Sequence, residues 1–219
     1  MAKLFNFRNQ EGDFDYELYK NIQVQGNKNK ESTVFVEKEN IKFLAEKILY
    51  HRPECAFGIC HGTRQGLEQK WFSRYLNCPV IGTEISDTAH KYENTIEWDF
   101  HQIKDEWISE ADFIYSNSWD HSYDPEHCFR QWVRCLKPGG LMMLEHSSQH
   151  TPNTANRLDP FGAQFAELVT LLARWGRGHF FVREIVEDLP VREKNLNITG
   201  SKLVPVKEIR AIIVQKEGG

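Results

Sequence analysis

Cys55 to Gly66 reads C-A-F-G-I-C-H-G-T-R-Q-G. The first half is apolar and unbroken, as a strand covered on both faces must be. The second half holds small, flexible residues, Gly62, Thr63 and Gly66, and a helix-like run from Leu67 to Leu76 follows. Strand, glycine turn, helix is the arrangement in which backbone amides can approach a nucleotide. Gly62 suits a turn conformation that side chains disfavour, and Gly66 leaves room where a side chain would block a ligand. The same pattern also serves a plain tight turn, so the downstream chain has to decide.

Downstream, Pro79 to Ile85 (P-V-I-G-T-E-I) reads as a second buried strand ending in Glu84. An acid roughly 20 residues past a glycine turn is where nucleotide folds place a ribose ligand, because one carboxylate can accept both hydrogens of a vicinal diol. Thr95 to Phe100 (T-I-E-W-D-F) reads as a third strand ending in Asp99 and Phe100. That pair suits an adenine, one accepting from the exocyclic amine and the other packing on the ring; a helix-capping aspartate is the plainer alternative. Ile103 to Ser109 reads as a short helix or turn. Ala111 to Ser116 is a fourth strand, opening into the polar loop N-S-W-D-H-S-Y-D-P. Asp124-Pro125 then starts a helix with Phe129, Trp132, Val133 and Leu136 on one face, proline suiting a first turn. Lys137-Pro138-Gly139-Gly140 turns the chain into a fifth strand, Leu141 to Leu144, followed by a loop with Glu145, His146 and His150. Pro160 to Trp175 reads as a helix. Phe180 to Leu189 and Val204 to Gln215 alternate well enough to form an antiparallel pair at the sheet edge.

Upstream, Val36 to Tyr50 carries apolar residues at helical spacing until Pro53. Residues 1–30 are polar with scattered rings, and Gln23 to Ser32 has too little apolar content for a core of its own. They read as a surface arm anchored by a few aromatics, or as a lid that orders over a bound ligand. The expected fold is therefore α/β: a Rossmann-like, doubly wound sheet of about seven strands. It is mostly parallel with a C-terminal antiparallel strand, and has helices on both faces. Residues 51–219 form one domain, and residues 1–50 add an arm and a helix to it.

The chain has 219 residues, 40% hydrophobic and 26% charged, as a folded soluble domain should be. A net charge of -4 gives no bulk attraction to phosphate backbones, so a nucleic-acid partner is not expected. No apolar run approaches the roughly 20 residues that span a membrane. The start M-A-K-L-F-N-F-R-N has no apolar signal core, and the five cysteines include no C-x-x-C pair. Free thiols in a reducing cytoplasm are the simplest expectation.

Two stretches carry a family resemblance. F-I-Y-S-N-S-W-D-H-S-Y-D-P-E from Phe113, then W-V-R-C-L-K-P-G-G-L-M-M-L-E-H from Trp132, resemble the methyltransferase domain of class I S-adenosylmethionine-dependent enzymes acting on small molecules. The resemblance covers about residues 54–147, with Leu136 to Gly140 its strongest piece. It implies that S-adenosylmethionine is the cofactor. By that resemblance Gly62, Thr63, Arg64 and Gly66 form the turn around its methionine part. Glu84 takes the ribose, Asp99 and Phe100 the adenine, and Ser116 and Asn117 the turn beneath the sulfonium. Two departures stand out: Arg64 replaces the middle glycine, and Cys60 replaces the acid that normally closes the first strand.

The implied reaction is methyl transfer to a small-molecule acceptor, with a sugar or other polyol hydroxyl expected from the polar, histidine-rich loops. A hydroxyl needs its proton removed as it attacks. His121 is the first candidate base, beside Asp120 on the loop after the fourth strand, and His146 the next. No dense metal-ligand motif is present. A metal gathered by Asp120, His121, Glu145, His146 and His150, and a degenerate binding protein on the same fold, are the rival expectations.

Overall fold

The computed structural model describes residues 1–198 and 202–218. In chain order its elements are β1 (Lys3–Leu4), α1 (Tyr16–Asn29), α2 (Lys38–His51), β2 (Gly58–His61), α3 (Leu67–Leu76) and β3 (Val80–Glu84). Then come β4 (Thr95–Glu97), β5 (Ala111–Ser116), α4 (Pro125–Cys135), β6 (Leu136–His146), β7 (Phe161–Gly162) and α5 (Phe165–Trp175). The chain closes with β8 (Phe180–Val186), β9 (Lys194–Ile198), β10 (Lys202–Val206) and β11 (Arg210–Lys216).

Seven strands form the main sheet, in the order β4-β3-β2-β5-β6-β11-β8. The first five run parallel, and β11 is antiparallel to both β6 and β8. Strand order reverses between β2 and β5, the switch point where open α/β sheets bind ligands.

Strand side chains explain the layers. Phe113 and Tyr115 of β5 enter one core with Ile41, Leu44 and Ile48 of α2 and Phe72 of α3. Ile114, one residue out of phase, enters the other with Phe129 and Trp132 of α4 and Leu168 and Leu172 of α5. Alternate residues thus face opposite layers, and the strands read as unbroken apolar runs because both faces are covered. Helix α4 starts as its sequence dictates: Asp124 accepts the His127 amide and Pro125 sits in the first turn.

Below the sheet, at the end opposite the ligand side, Asp112 collects four donors. Arg52 and Lys137 reach it at 2.7 and 3.0 Å, and the amides of Ala56 and Phe57 at 2.8 and 3.1 Å. Burial would raise its pKa, but these donors outweigh burial and hold it below the usual carboxylate range.

Four details correct the sequence reading. Residues 16–29 form a regular helix rather than an irregular arm; Asp15 caps it by accepting the Leu18 amide. It packs through Tyr19, Gln23 and Asn27, so polar contacts replace the apolar face that periodicity would have revealed. The expected strand from Val204 to Gln215 is two: β10 pairs with β9 in a separate hairpin, and β11 alone joins the sheet. The helix expected from Pro160 begins at Phe165, because Phe161 and Gly162 pair with Leu4 and Lys3. Strand β6 begins at Leu136, earlier than expected, and runs through the glycine turn. Among the described residues no helix is long and apolar enough to cross a membrane.

Candidate active site

Two adjoining clefts open at the carboxyl ends of β2, β3, β5 and β6. The larger encloses about 970 Å³, its solvent-facing mouth included, and the smaller about 500 Å³. Lys30, Gly62, Arg64, Ser118 and His121 line both.

The glycine turn after β2 forms the floor. Gly62 has φ +73°, and a Cβ there would lie 2.6 Å from the Ser118 Cβ, so only glycine fits. Arg64 also adopts a left-handed backbone, φ +43°, which costs a residue with a side chain about 1 kcal/mol. This accounts for glycine at that position in the resembling family. The Arg64 amide donates to Glu84 Oε2 at 3.0 Å and so holds the turn. Its guanidinium lies over Phe35, 4.5 Å from the ring centroid, with one nitrogen on the Thr33 carbonyl. The Arg64 Nε and the Thr63 Oγ1 are buried without partners.

The smaller cleft brings together Glu84, Asp99 and Phe100 under Tyr19, Gln23 and Asn27 of α1. Burial raises the Glu84 pKa against the opposing pull of Arg64 and nearby amides. Asp99 is already engaged: His101 Nδ1 lies 2.7 Å from one oxygen, and the Tyr16 hydroxyl donates to the other at 2.9 Å. Gly66, Ser116 and His146 line neither cleft. Ser116 is buried and donates to the His61 carbonyl. His146 bonds the Ala163 carbonyl through Nε2 and stacks on Trp119; burial presses its pKa down to about 3. It reads as a neutral structural histidine.

His121 stands where the clefts meet. Gln23 donates its amide nitrogen to the Leu158 carbonyl at 3.0 Å, which orients its oxygen toward His121 Nδ1, 2.7 Å away. Nδ1 therefore carries the proton, and Nε2 keeps its lone pair, 3.4 Å from Asp159 Oδ1. Burial lowers the His121 pKa to about 4, with Asp159 opposing and Lys30 and Arg64 assisting. Asp159 escaped the sequence reading because it is far along the chain in a loop without pattern. Its carboxylate, with those of Asp120 and the imidazole of His121, offers ligand atoms all within 4.8 Å of one another. Of the residues expected to gather a metal, Glu145, His146 and His150 are not in that group.

The larger cleft adds Glu68 and Glu145, with Asn117, Gln149 and His150 also on its lining. Burial raises the Glu68 pKa to about 8 and the Glu145 pKa to about 7. Helix α3 was expected, but the inward orientation of its second residue was not.

Residues 59–144 match the methyltransferase-domain family profile. No curated protein sequence matches the chain. Among solved structures, the chain is similar to Burkholderia thailandensis 1,6-didemethyltoxoflavin-N1-methyltransferase, solved with 1,6-didemethyltoxoflavin and S-adenosylhomocysteine. The TM-score is 0.57 at 10% identity, covering 93% of this chain and 88% of that one. The plantazolicin methyltransferase BpumL, solved with a triazolic desmethylPZN analog and S-adenosylhomocysteine, gives 0.60 at 10% identity, covering 93% and 90%. A chain of a Haloferax volcanii complex with the Trm112 methyltransferase activator gives 0.61 at 15% identity, covering 94% and 100%. At such identities these structures speak for the fold alone. Residues 59–144 are thus similar to a methyltransferase domain, and the whole chain has the fold of these structures.

Proposed function

We propose that this domain methylates a hydroxyl of a small, polar acceptor, a sugar or other polyol, with His121 as the base. The observation that carries the reading is the place of His121, which lines both clefts while Gln23 holds its Nδ1. The nucleotide end of the cofactor fits the smaller cleft, where Glu84 faces the ribose and Phe100 the adenine. Asp99 can take the exocyclic amine only in addition to its present donors, His101 and Tyr16. Two unpartnered buried groups, Arg64 Nε and Thr63 Oγ1, fit a polar amino-acid end at the glycine turn.

S-adenosylmethionine supplies an activated methyl for an in-line displacement. The protein holds both reactants in register and accepts the hydroxyl proton at His121 Nε2. Asp159 then stands beside the imidazolium that forms. Asn117, Gln149 and His150 give the larger cleft a polar lining suited to an acceptor rich in hydroxyls. The toxoflavin enzyme, solved with 1,6-didemethyltoxoflavin, supports a small-molecule acceptor; the hydroxyl rests on the cleft lining of this chain.

Calorimetric titration with S-adenosylhomocysteine, followed by a screen of sugars and polyols for product formation, tests the reading. Binding plus turnover on a hydroxyl acceptor is expected. A folded protein that binds no S-adenosylhomocysteine would be the scaffold instead. The cluster of Asp120, His121 and Asp159 favours a second reading, metal-assisted transfer. Under it, chelation abolishes turnover and a divalent cation restores it; the base mechanism expects neither.

Glu84→Ala should weaken S-adenosylhomocysteine by about 1.5–3 kcal/mol, the worth of hydrogen bonds to a charged group. The loss of the Arg64 amide contact adds to it. The nucleoside 5′-methylthioadenosine, which keeps the ribose, should weaken equally. Unchanged affinity for both in a folded variant removes Glu84 from the ribose site.

A further inference from the structure

Family members close the first strand with an acid, and this chain has Cys60 there, fully buried in the core. The polar contact that the cofactor's amino-acid end would lose must be found elsewhere or go unmade. The larger cleft contains what is needed, one helix turn further on. Glu68 is the second residue of α3 and only 6% exposed, yet it lines the cleft. Among the described residues no other group hydrogen-bonds its carboxylate, which is left with only its own backbone amide. Glu145, at the end of β6, lines the same cleft; its Oε2 accepts a long bond, 3.3 Å, from the Tyr115 hydroxyl. On the other side of the turn, Arg64 leaves its Nε buried and unpartnered. A cleft with two under-satisfied acids and one under-satisfied guanidinium is complementary to a zwitterion.

Resting on the cofactor reading above, we propose that Glu68, supported by Glu145, receives the α-ammonium of the cofactor's amino-acid end while Arg64 receives its α-carboxylate. The acid missing from the strand is thereby replaced from the following helix. Arg64, anomalous as a turn residue, acquires a role as the opposite pole of the same subsite.

Protonation follows from this arrangement. The groups acting on Glu68 are Arg64, Glu84 and Glu145, and burial outweighs them all. Lys194 acts on Glu145 and is opposed by Glu37. Glu68 is therefore mostly neutral at neutral pH without ligand. An ammonium bound against it ionises it and releases a proton to solvent. Affinity for S-adenosylhomocysteine should rise with pH through neutrality until Glu68 is ionised without help.

The test is calorimetry of the full chain with two ligands. S-adenosylhomocysteine carries the amino acid; 5′-methylthioadenosine has the same nucleoside without it. Glu68→Gln should weaken the first by about 10–100-fold, as loss of a charge-assisted bond does, and leave the second within about threefold. Wild-type protein should release a proton to buffer with S-adenosylhomocysteine and none with 5′-methylthioadenosine. That reading does not depend on the variant folding. Equal loss of both ligands would make Glu68 a brace for the turn and overturn the proposal. Unchanged S-adenosylhomocysteine affinity without proton release would also overturn it, and would leave the acids to an ammonium on the acceptor. If wild-type protein binds neither ligand, the cofactor reading itself falls.

Discussion

His121→Ala should lower turnover by about 10²–10⁴-fold, the usual yield of a positioned general base. S-adenosylhomocysteine affinity should change far less. Two features make the expectation specific. Gln23 fixes the imidazole tautomer so that Nε2 is the free nitrogen. Asp159 stands 3.4 Å from that nitrogen and favours the protonated ring once a proton arrives. Because the pKa is pressed down to about 4, the base-competent form prevails at every higher pH. The titration of His121 should therefore leave no mark on the pH profile around neutrality, and activity should fall only as pH drops through its pKa. A bracing role predicts otherwise: Gln23→Leu, which removes the same hydrogen bond but keeps the imidazole, would then match His121→Ala in lost turnover and melting temperature. If His121 only orients the acceptor, the Michaelis constant rises and kcat survives.

Asp112→Ala should produce the largest loss of stability. Breaking a buried ion pair from one side costs about 3–5 kcal/mol. Arg52 and Lys137 are part-exposed and can be resolvated, so about 2–4 kcal/mol is the better expectation. At roughly 2–4 °C per kcal/mol for a chain of this size, the melting temperature falls by about 5–15 °C. The carboxylate joins the end of α2, the approach to β2 and the turn within β6. All lie on the far side of the sheet from the clefts, so S-adenosylhomocysteine affinity should persist below the transition. The sign with pH is set by the depressed carboxylate pKa. This contribution is complete above the unfolded value and is lost as pH falls through the folded one. A melting temperature within about 2 °C of wild type would remove Asp112 from this role.

The sheet was legible because its strands are buried on both faces. Cys55 to Gly66 and Ala111 to Ser116 could hardly have been anything else once helices with apolar stripes flanked them. Glu84, Asp99 and Phe100 stand at or just past strand ends, as expected, and all three line one cleft. What escaped reading lacks periodicity. Helix α1 packs through tyrosine, glutamine and asparagine, which a hydrophobic pattern does not register. Asp159 reaches His121 from a loop whose course depends on β1 and β7 pairing, a contact between distant segments. Glu68 sits in a helix first turn, where a solvent-facing acid is ordinary; only the packing of α3 turns it inward. His146, a candidate base by its place at a strand end, lines neither cleft and bonds the Ala163 carbonyl instead.

Helix α1 has a kinetic consequence. Tyr16 to Asp99, Gln23 to His121 and Asn27 to Thr88 link it across the smaller cleft. Tyr19 to the His121 carbonyl and Gln23 to the Leu158 carbonyl add two more; at roughly 0.5–1.5 kcal/mol each, undoing these five costs about 2.5–7.5 kcal/mol. A nucleoside that reaches the cleft only when α1 swings away meets a competent species making up about one part in 70 of the protein or less. Its observed association rate constant is scaled down by that fraction. Its residence time, set by the same reopening, lengthens once the helix has closed over it.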